Sequence, residues 1–252
     1  MEVVRLDDLV RGWALRSGSK PALCFPDDRA PVSYAELDRQ ASAFARALQQ
    51  RGVEPGQCIL LANGNSTEFF VALFGAARAG CVAVPIDVNL APPEIAAIAA
   101  HAEVALVIVE PGSAGKVVGA VGNRPCVILG GADASAPTLD LDADRQPPLA
   151  VPVSRDDLVL ILYTSGTTGV PKGVMHSHAT LLAKVAAIKE WFEFDESFRS
   201  LCLLPTHFGH GLICNCLSTF FYGGSLVLCR PFDFTLVTQL AQILERHEVS
   251  TL

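Results

Sequence analysis

One short segment of the chain concentrates side chains that can bind phosphate. Residues 163–174 read YTSGTTGVPKGV, with three glycines, four Ser or Thr hydroxyls and one lysine. Glycine tolerates positive φ, which lets successive backbone N–H groups converge on one anion. The hydroxyls add neutral hydrogen-bond donors, and Lys172 adds a mobile positive charge for the outer phosphates. We therefore predict a loop that binds a polyphosphate chain.

Two other interpretations fit this segment less well. Its spacing differs from the GxxxxGKS or GxxxxGKT pattern of P-loop enzymes, because Lys172 follows Pro171 and precedes a glycine. This disfavours a kinase or GTPase of the P-loop class. An ordinary glycine-rich hairpin turn would account for the glycines, but it needs neither four hydroxyls nor a lysine.

The charge distribution is compatible with an anion site at this segment. The chain has 252 residues and a formal net charge of −7, which disfavours broad binding to nucleic acid or to an anionic membrane. No Asp or Glu occurs between Leu158 and Lys189, whereas three lysines do. Positive potential is therefore expected near the predicted loop.

Periodicity predicts the elements that must position this loop. Ser33 followed by Glu36 forms a capping box that opens a helix, which Gly52 closes. Short apolar runs alternate with helical periods, which predicts strands covered on both faces and hence a layered α/β fold. We predict strands at 58–62, 81–85, 104–109, 125–129, 158–163, 173–176, 200–204 and 225–229, and helices at 67–78, 92–101, 178–191, 210–221 and 234–247.

Residues 130–156 have a different composition from the rest of the chain. Gly, Ala, Asp and Pro dominate there without a lasting period, which predicts a surface loop. It separates a first α/β part, 1–129, from a second part, 157–252, that holds the phosphate loop.

The compartment is predicted from the cysteines and the N-terminus. The eight cysteines show no disulfide spacing, which indicates buried thiols in a reducing cytoplasm. The first residues lack a signal-peptide pattern, and no apolar run is long enough to span a membrane.

The segment from Tyr163 to Val174 resembles the signature loop of the adenylate-forming superfamily. This superfamily contains acyl-CoA synthetases, luciferases and the adenylation domains of peptide synthetases. The resemblance covers the whole chain and implies the layered α/β fold of the superfamily's N-terminal domain. Further segments that resemble landmarks of these enzymes are 33–37 (SYAEL), 52–56 (GVEPG), 79–87 (AGCVAVPID), 223–228 (GGSLVL) and 230–233 (RPFD).

The resemblance implies ATP-dependent activation of a carboxylic acid. The carboxylate would attack the α-phosphate of ATP, with Mg²⁺ bound, and pyrophosphate would leave. The acyl-adenylate would then pass its acyl group to the thiol of CoA or of a carrier protein's phosphopantetheine arm. No residue of this chain is assigned a catalytic role. By position in the motif, the phosphate contacts would be Thr164, Ser165, Thr167, Thr168 and Lys172, and the backbone formers would be Gly166, Gly169 and Gly173.

A second cluster, LPTHFGHGL at 204–212, resembles the family segment that opens the helix lining the acyl pocket. Many members place a gating histidine where this chain has Phe208, and His207 precedes it as in luciferase-like sequences. We predict that His207, Phe208 and Gly211 line the substrate pocket. For His207 the alternative is a helix-entry residue without a ligand role.

A zinc site is another interpretation of the same stretch. It would use His207, His210, Cys214 and Cys216. His210 and Cys214 would share a helix face, but Cys216 would not, and structural zinc sites normally use paired CxxC knuckles. We therefore predict no metal site and interpret the cysteines as buried thiols of the pocket wall.

Three later features of the superfamily have no counterpart in these 252 residues. They are a YGxTE segment whose glutamate usually holds Mg²⁺, a TGD segment that binds ribose, and a C-terminal domain with a catalytic lysine. We expect the chain to be the front part of such an enzyme, to bind ATP weakly, and to associate with itself or with a complementing polypeptide. A non-catalytic nucleotide-binding or interaction module with the same fold remains an alternative.

Overall fold

The computed structural model describes residues 4–142, 146–164, 171–189, 195–229 and 234–250. Within these ranges no helix has the length and apolar character needed to cross a bilayer. The elements are α1 (Asp8–Ser17), β1 (Pro21–Cys24), β2 (Val32–Ser33), α2 (Tyr34–Gln50), β3 (Cys58–Ala62), α3 (Thr67–Arg78), β4 (Val82–Pro85), α4 (Pro92–His101), β5 (Leu106–Val109), α5 (Ala114–Val121), β6 (Cys126–Ile128), β7 (Leu158–Thr164), β8 (Lys172–Ser177), α6 (His178–Lys189), β9 (Arg199–Cys202), a π-helical segment (His210–Leu217), α7 (Ser218–Tyr222), β10 (Ser225–Leu228) and α8 (Phe234–Arg246).

A six-stranded sheet carries the predicted loop. Its strand order is β6-β5-β3-β4-β7-β8, parallel except for the antiparallel pair β7–β8. Phe70 of α3 packs with Ile59 on one face, whereas Ile98 of α4 and Val117 of α5 pack with Leu60 on the other. The strands are thus covered on both faces, which confirms the layered α/β prediction.

A four-stranded sheet joins the beginning of the chain to its last third. Its order is β2-β1-β10-β9, and β1 runs parallel to β10 with Leu23 opposite Leu226. Each sheet therefore combines strands from both sides of the 130–156 connection. That connection carries no helix or strand at its described positions, apart from one isolated bridge between Ile128 and Thr138.

Side-chain caps set the helix boundaries that the sequence predicted. The Ser33 hydroxyl accepts a hydrogen bond from the Glu36 N–H at 3.2 Å at the start of α2. Ser66 caps α3 in the same way through Phe69, also at 3.2 Å. α3 ends before Gly80, whose φ of 73° suits the left-handed turn there. The strand and helix predictions at 58–62 and 67–78 are confirmed.

Other elements differ from the prediction. Residues 210–217 form a π-helix, not the predicted α-helix, and the Ser218 hydroxyl donates to the Ile213 carbonyl inside this turn at 3.2 Å. α5 was not predicted because two of its eight residues are glycines, which disfavour helix. α1, β1 and β2 were not predicted either.

Candidate functional site

The predicted phosphate loop lies at the end of the β7–β8 hairpin. Thr164 ends β7 and stands opposite Lys172, the first residue of β8, and both are exposed. Tyr163 stands opposite Gly173. The ladder includes the predicted strands 158–163 and 173–176 and extends to Thr164 and Lys172. The phosphate contacts assigned to these two residues stay a prediction. Outside the described residues lie Ser165, Gly166, Thr167, Thr168 and Gly169.

Tyr163 connects the end of the β7–β8 hairpin to helix α4. A Cβ at Gly173 would stand 2.7 Å from Ile161 Cγ2 and 3.3 Å from Tyr163 Cζ, so glycine lets the tyrosine ring lie close against β8. The Tyr163 hydroxyl shares a hydrogen bond of 2.7 Å with Nδ1 of His101, the last residue of α4. Burial raises the pKa of Tyr163, with a smaller contribution from Cys58. The phenol stays protonated and joins β7 to α4.

Lys172 is the cation that the hairpin presents to solvent. No ion pair to Lys172 is found among the described residues. Lys184, by contrast, places Nζ 3.3 Å from Nδ1 of His176. Burial and then Lys184 lower the pKa of His176, so that imidazole is neutral and can accept from the ammonium group. Lys172 therefore has the freer charge for an anion at the hairpin end.

The second predicted cluster lies beside the same hairpin. A Cβ at Gly209 would stand 3.3 Å from Leu162 Cδ1 in β7. His207 Nε2 lies 3.9 Å from Oδ2 of Asp87, which follows β4. Because β4 and β7 are parallel neighbours, the structure brings both clusters to the carboxyl edge of the large sheet. Ligands bind preferentially at this edge in open α/β sheets.

The three predicted pocket residues differ in their surroundings. Burial lowers the pKa of His207, and the nearby Asp87 only partly opposes this, so the imidazole is neutral. Phe208 is 55% exposed and can contact a ligand from the surface. Gly211 is buried, and a Cβ there would stand 2.8 Å from the Pro205 carbonyl oxygen. Gly211 thus allows close backbone packing at the start of the π-helix.

Asn65 holds the two sheets together at this site and was missed by the sequence analysis. Its amide nitrogen donates to the Leu204 and Cys229 carbonyl oxygens, each at 3.0 Å. Its amide oxygen accepts from the Thr206 N–H at 2.8 Å. The only signal was an Asn shortly after a buried strand, at the edge where functional residues gather. Asn65 positions the segment that carries His207.

The cysteines of the second cluster are not all pocket-wall thiols. Cys216 is fully buried with Sγ 3.4 Å from Sγ of Cys202, and burial raises the pKa of Cys216 well above its ordinary value. Cys214 is exposed, so the prediction of a buried thiol is wrong there. Within the described ranges, no three His, Cys, Asp or Glu side chains are grouped to hold a metal ion.

Comparison with known proteins identifies the family of the chain. The family model of AMP-binding enzymes matches residues 10–252. The chain is 32% identical to 4-coumarate–CoA ligase 5 of Oryza sativa subsp. japonica over 226 residues, covering 87% of this chain and 41% of that protein. It is also 32% identical to pyochelin synthetase PchF of Pseudomonas aeruginosa over 244 residues, covering 96% of this chain and 13% of that protein.

A solved structure shows the same fold. The inhibitor-bound N-terminal domain of FACL13 from Mycobacterium tuberculosis superposes with a TM-score of 0.84 at 27% identity, covering 97% of this chain and 61% of that one. The chain thus spans less than half of the rice ligase that it matches. The family match over nearly every residue and the shared fold lead to one conclusion. The chain belongs to the AMP-binding enzymes, the adenylate-forming superfamily that its hairpin motif resembles, and corresponds to their N-terminal portion.

Proposed function

We propose that the chain belongs to an enzyme that activates a carboxylic acid with ATP and transfers the acyl group to a thiol. The observation that carries this proposal is the placement of Thr164 and Lys172 at the hairpin end, beside the segment that holds His207. A phosphate-binding end and a pocket segment on one sheet edge are what an acid-activating site needs.

The described side chains suit the triphosphate part of ATP. The exposed Thr164 hydroxyl can donate to a phosphate oxygen, and the Lys172 ammonium group can pair with the outer phosphates. No carboxylate occurs from Leu158 to Lys189 to repel them. We propose that Ser165, Gly166, Thr167, Thr168 and Gly169 add the remaining hydroxyl and backbone contacts.

Mg²⁺ is proposed to arrive with the ATP phosphates. The hairpin offers hydroxyls and an ammonium group, which contact phosphate, and no carboxylate that would ligate the ion. When bound, Mg²⁺ would neutralise phosphate charge. This chain's own contribution is then to hold the β- and γ-phosphates in place.

The acid is proposed to lie against the second cluster. The neutral His207 ring and the exposed Phe208 ring present uncharged surface, and the buried Gly211 supports this segment by letting the backbone at Pro205 pack closely. In the first step a carboxylate oxygen attacks the α-phosphorus, and the bond to pyrophosphate breaks. The hairpin would stabilise the leaving pyrophosphate through the positive charge of Lys172.

In the second step a thiol sulfur attacks the acyl carbon and AMP leaves. The thiol is proposed to be that of CoA or of a carrier protein, because the relatives include a CoA ligase and a synthetase. The cytoplasm is the proposed location, from the cysteine spacing.

The test is ATP binding measured by isothermal titration calorimetry. Lys172→Ala removes the exposed charge, and we expect binding weakened by about tenfold, the size of one charge-assisted hydrogen bond. Arg11→Ala is the matched control, because it removes an exposed positive charge on α1, outside both predicted clusters. Equal affinities for ATP in the Lys172 variant and the unmodified chain would overturn the assignment of the hairpin.

A further inference from the structure

A polar cavity lies at the same edge of the large sheet, three to five strands away from β8. Its volume is about 250 Å³. It lies at the carboxyl ends of β3, β5 and β6, and shares none of its lining residues with the hairpin or the His207 segment. The polar residues and glycines that line it are Asn63, Ser66, Glu68, Glu110, Gly112 and Gly130.

The topology of the sheet places this cavity where ligands commonly bind. β3 and β5 are adjacent parallel strands. The helix after β3, α3, covers one face of the sheet, and the helix after β5, α5, covers the other. The connections that follow β3 and β5 therefore run to opposite faces of the sheet and leave a crevice between the ends of these two strands. Such a switch point is the usual ligand position in open α/β sheets.

Asn63 indicates that this crevice recognises a polar ligand. The residue directly follows β3 and is 1% exposed. Neither its amide nitrogen nor its amide oxygen has a hydrogen-bond partner among the described residues. A buried amide without partners is unfavourable, because it has lost its bonds to water. A ligand with both an acceptor and a donor would satisfy this side chain.

Two carboxylates set the charge of that ligand. Glu110 Oε2 accepts a hydrogen bond from the Gly64 N–H at 2.9 Å. The Glu68 side chain lies over Gly130, where an added Cβ would stand 2.8 Å from Glu68 Cγ. In the described part of the chain neither carboxylate forms an ion pair. Two negative charges at one crevice favour a cation.

We propose that this cavity binds a small ammonium compound that also carries a hydroxyl group, namely an amino alcohol or an amino sugar. The ammonium group pairs with Glu68 and Glu110. The hydroxyl oxygen accepts from the Asn63 amide nitrogen, and its hydrogen is donated to the amide oxygen. Gly130 lets the Glu68 side chain take this position, because a Cβ at residue 130 would stand 2.8 Å from Glu68 Cγ.

Four probe compounds distinguish the need for an ammonium group from the need for a hydroxyl group. Ethanolamine and glucosamine carry both an ammonium group and hydroxyls, propylamine carries only the charge, and glucose carries only hydroxyls. We expect saturable binding of the first two by ligand-observed NMR and calorimetry, and at least tenfold weaker binding of the other two. No binding of ethanolamine or glucosamine, or equal binding of propylamine, would overturn the proposal.

Variants locate the binding in the cavity. Asn63→Leu keeps the side-chain size and removes the amide, and Glu68→Gln removes one charge; each should weaken glucosamine binding at least tenfold. Glu245→Gln makes the same charge change at an exposed position on α8 and should leave binding unchanged. Because Glu68→Gln alters a partly exposed side chain, it remains informative if Asn63→Leu fails to fold. Unchanged binding in Glu68→Gln would refute the site.

Discussion

At the scale of single residues, Asn65 does more than its position in a loop suggests. One side chain bonds the ends of three strands, through the carbonyl oxygens of Leu204 and Cys229 and the N–H of Thr206. We expect Asn65→Ala to lower the free energy of unfolding by about 2 kcal/mol, because the part-buried Cys229 carbonyl and Thr206 N–H lose their partner. Chemical denaturation measures this loss.

Asn65→Asp tests the two bonds that the amide nitrogen donates separately from the bond that the amide oxygen accepts. The variant keeps an oxygen for the Thr206 N–H but loses both donors, and it places a carboxylate near two carbonyl oxygens. It should therefore be no more stable than Asn65→Ala. An aspartate variant as stable as the unmodified chain would show that the donated bonds contribute nothing.

A buried histidine makes the folding free energy depend on pH. Nδ1 of His178 accepts a hydrogen bond from the Leu6 N–H at 2.9 Å, which requires an unprotonated nitrogen. Burial lowers the pKa of His178, against a smaller opposing effect of Asp7. The unfolded chain then binds the proton more readily than the folded one. The free energy of unfolding therefore falls as the pH drops below about 6.5 towards the lowered folded pKa.

Urea unfolding at about pH 7.5 and about pH 5.5 tests this effect in the range where histidine titrates. We expect the unmodified chain to be less stable at the lower pH. His178→Gln should be less stable at the higher pH and show a weaker pH dependence. His210→Gln changes an exposed histidine and serves as the control. A pH dependence that persists in full in His178→Gln would assign it to other groups.

At the scale of elements, the helix bounds were predicted mainly from signals within a few residues of the helix ends. The bounds of α3 and α4 follow from a serine cap, a terminal glycine and a proline in the first turn, all of which act within a few residues. The π-helix at 210–217 was not predictable in this way. Its backbone is shaped by contacts with α6 and β9, which no local pattern encodes.

The link between α4 and β7 gives a prediction about the hairpin. His101→Ala and Tyr163→Phe each remove the hydrogen bond of 2.7 Å at its base while leaving the strand pairing intact. On the proposed function, each should weaken ATP binding a few-fold, because the hairpin end loses part of its support. Calorimetry on both variants and the double variant measures the coupling. Since both changes break one interaction, their effects should not add.

Additive losses would mean that His101 and Tyr163 act separately. A loss of ATP binding with unchanged thermal stability distinguishes support of the hairpin from general destabilisation. His101→Ala and Tyr163→Phe therefore test whether the hydrogen bond between these two residues supports the hairpin end.

At the scale of the whole molecule, the candidate site arises where the two sheets meet. Lys172 and Thr164 were predicted because residue type and spacing mark them, and His207 because its segment resembles one of the family. Asp87 and His101 were not, because each meets its partner only after more than 60 positions of intervening chain have folded. The pairing of β1 with β10 is similarly long-range. Such contacts depend on topology, which a single sequence does not encode locally.

The edge of the large sheet leads to a prediction about association. Within the described residues β8 pairs only with β7, and its Val174 and Met175 are 47% and 64% exposed on opposite faces. Unpaired strand edges with apolar side chains favour pairing with another copy. We expect the mean mass in light scattering to rise with protein concentration.

Met175→Glu should suppress this self-association, because a second copy would meet an added charge on a chain that is already at −7. Leu15→Glu is the matched control, since Leu15 is 74% exposed on α1 and lies away from the edge. Its mass profile should follow that of the unmodified chain. If only Leu15→Glu suppressed self-association, the contact between copies would lie on α1. A constant monomer mass in the unmodified chain would exclude pairing through β8.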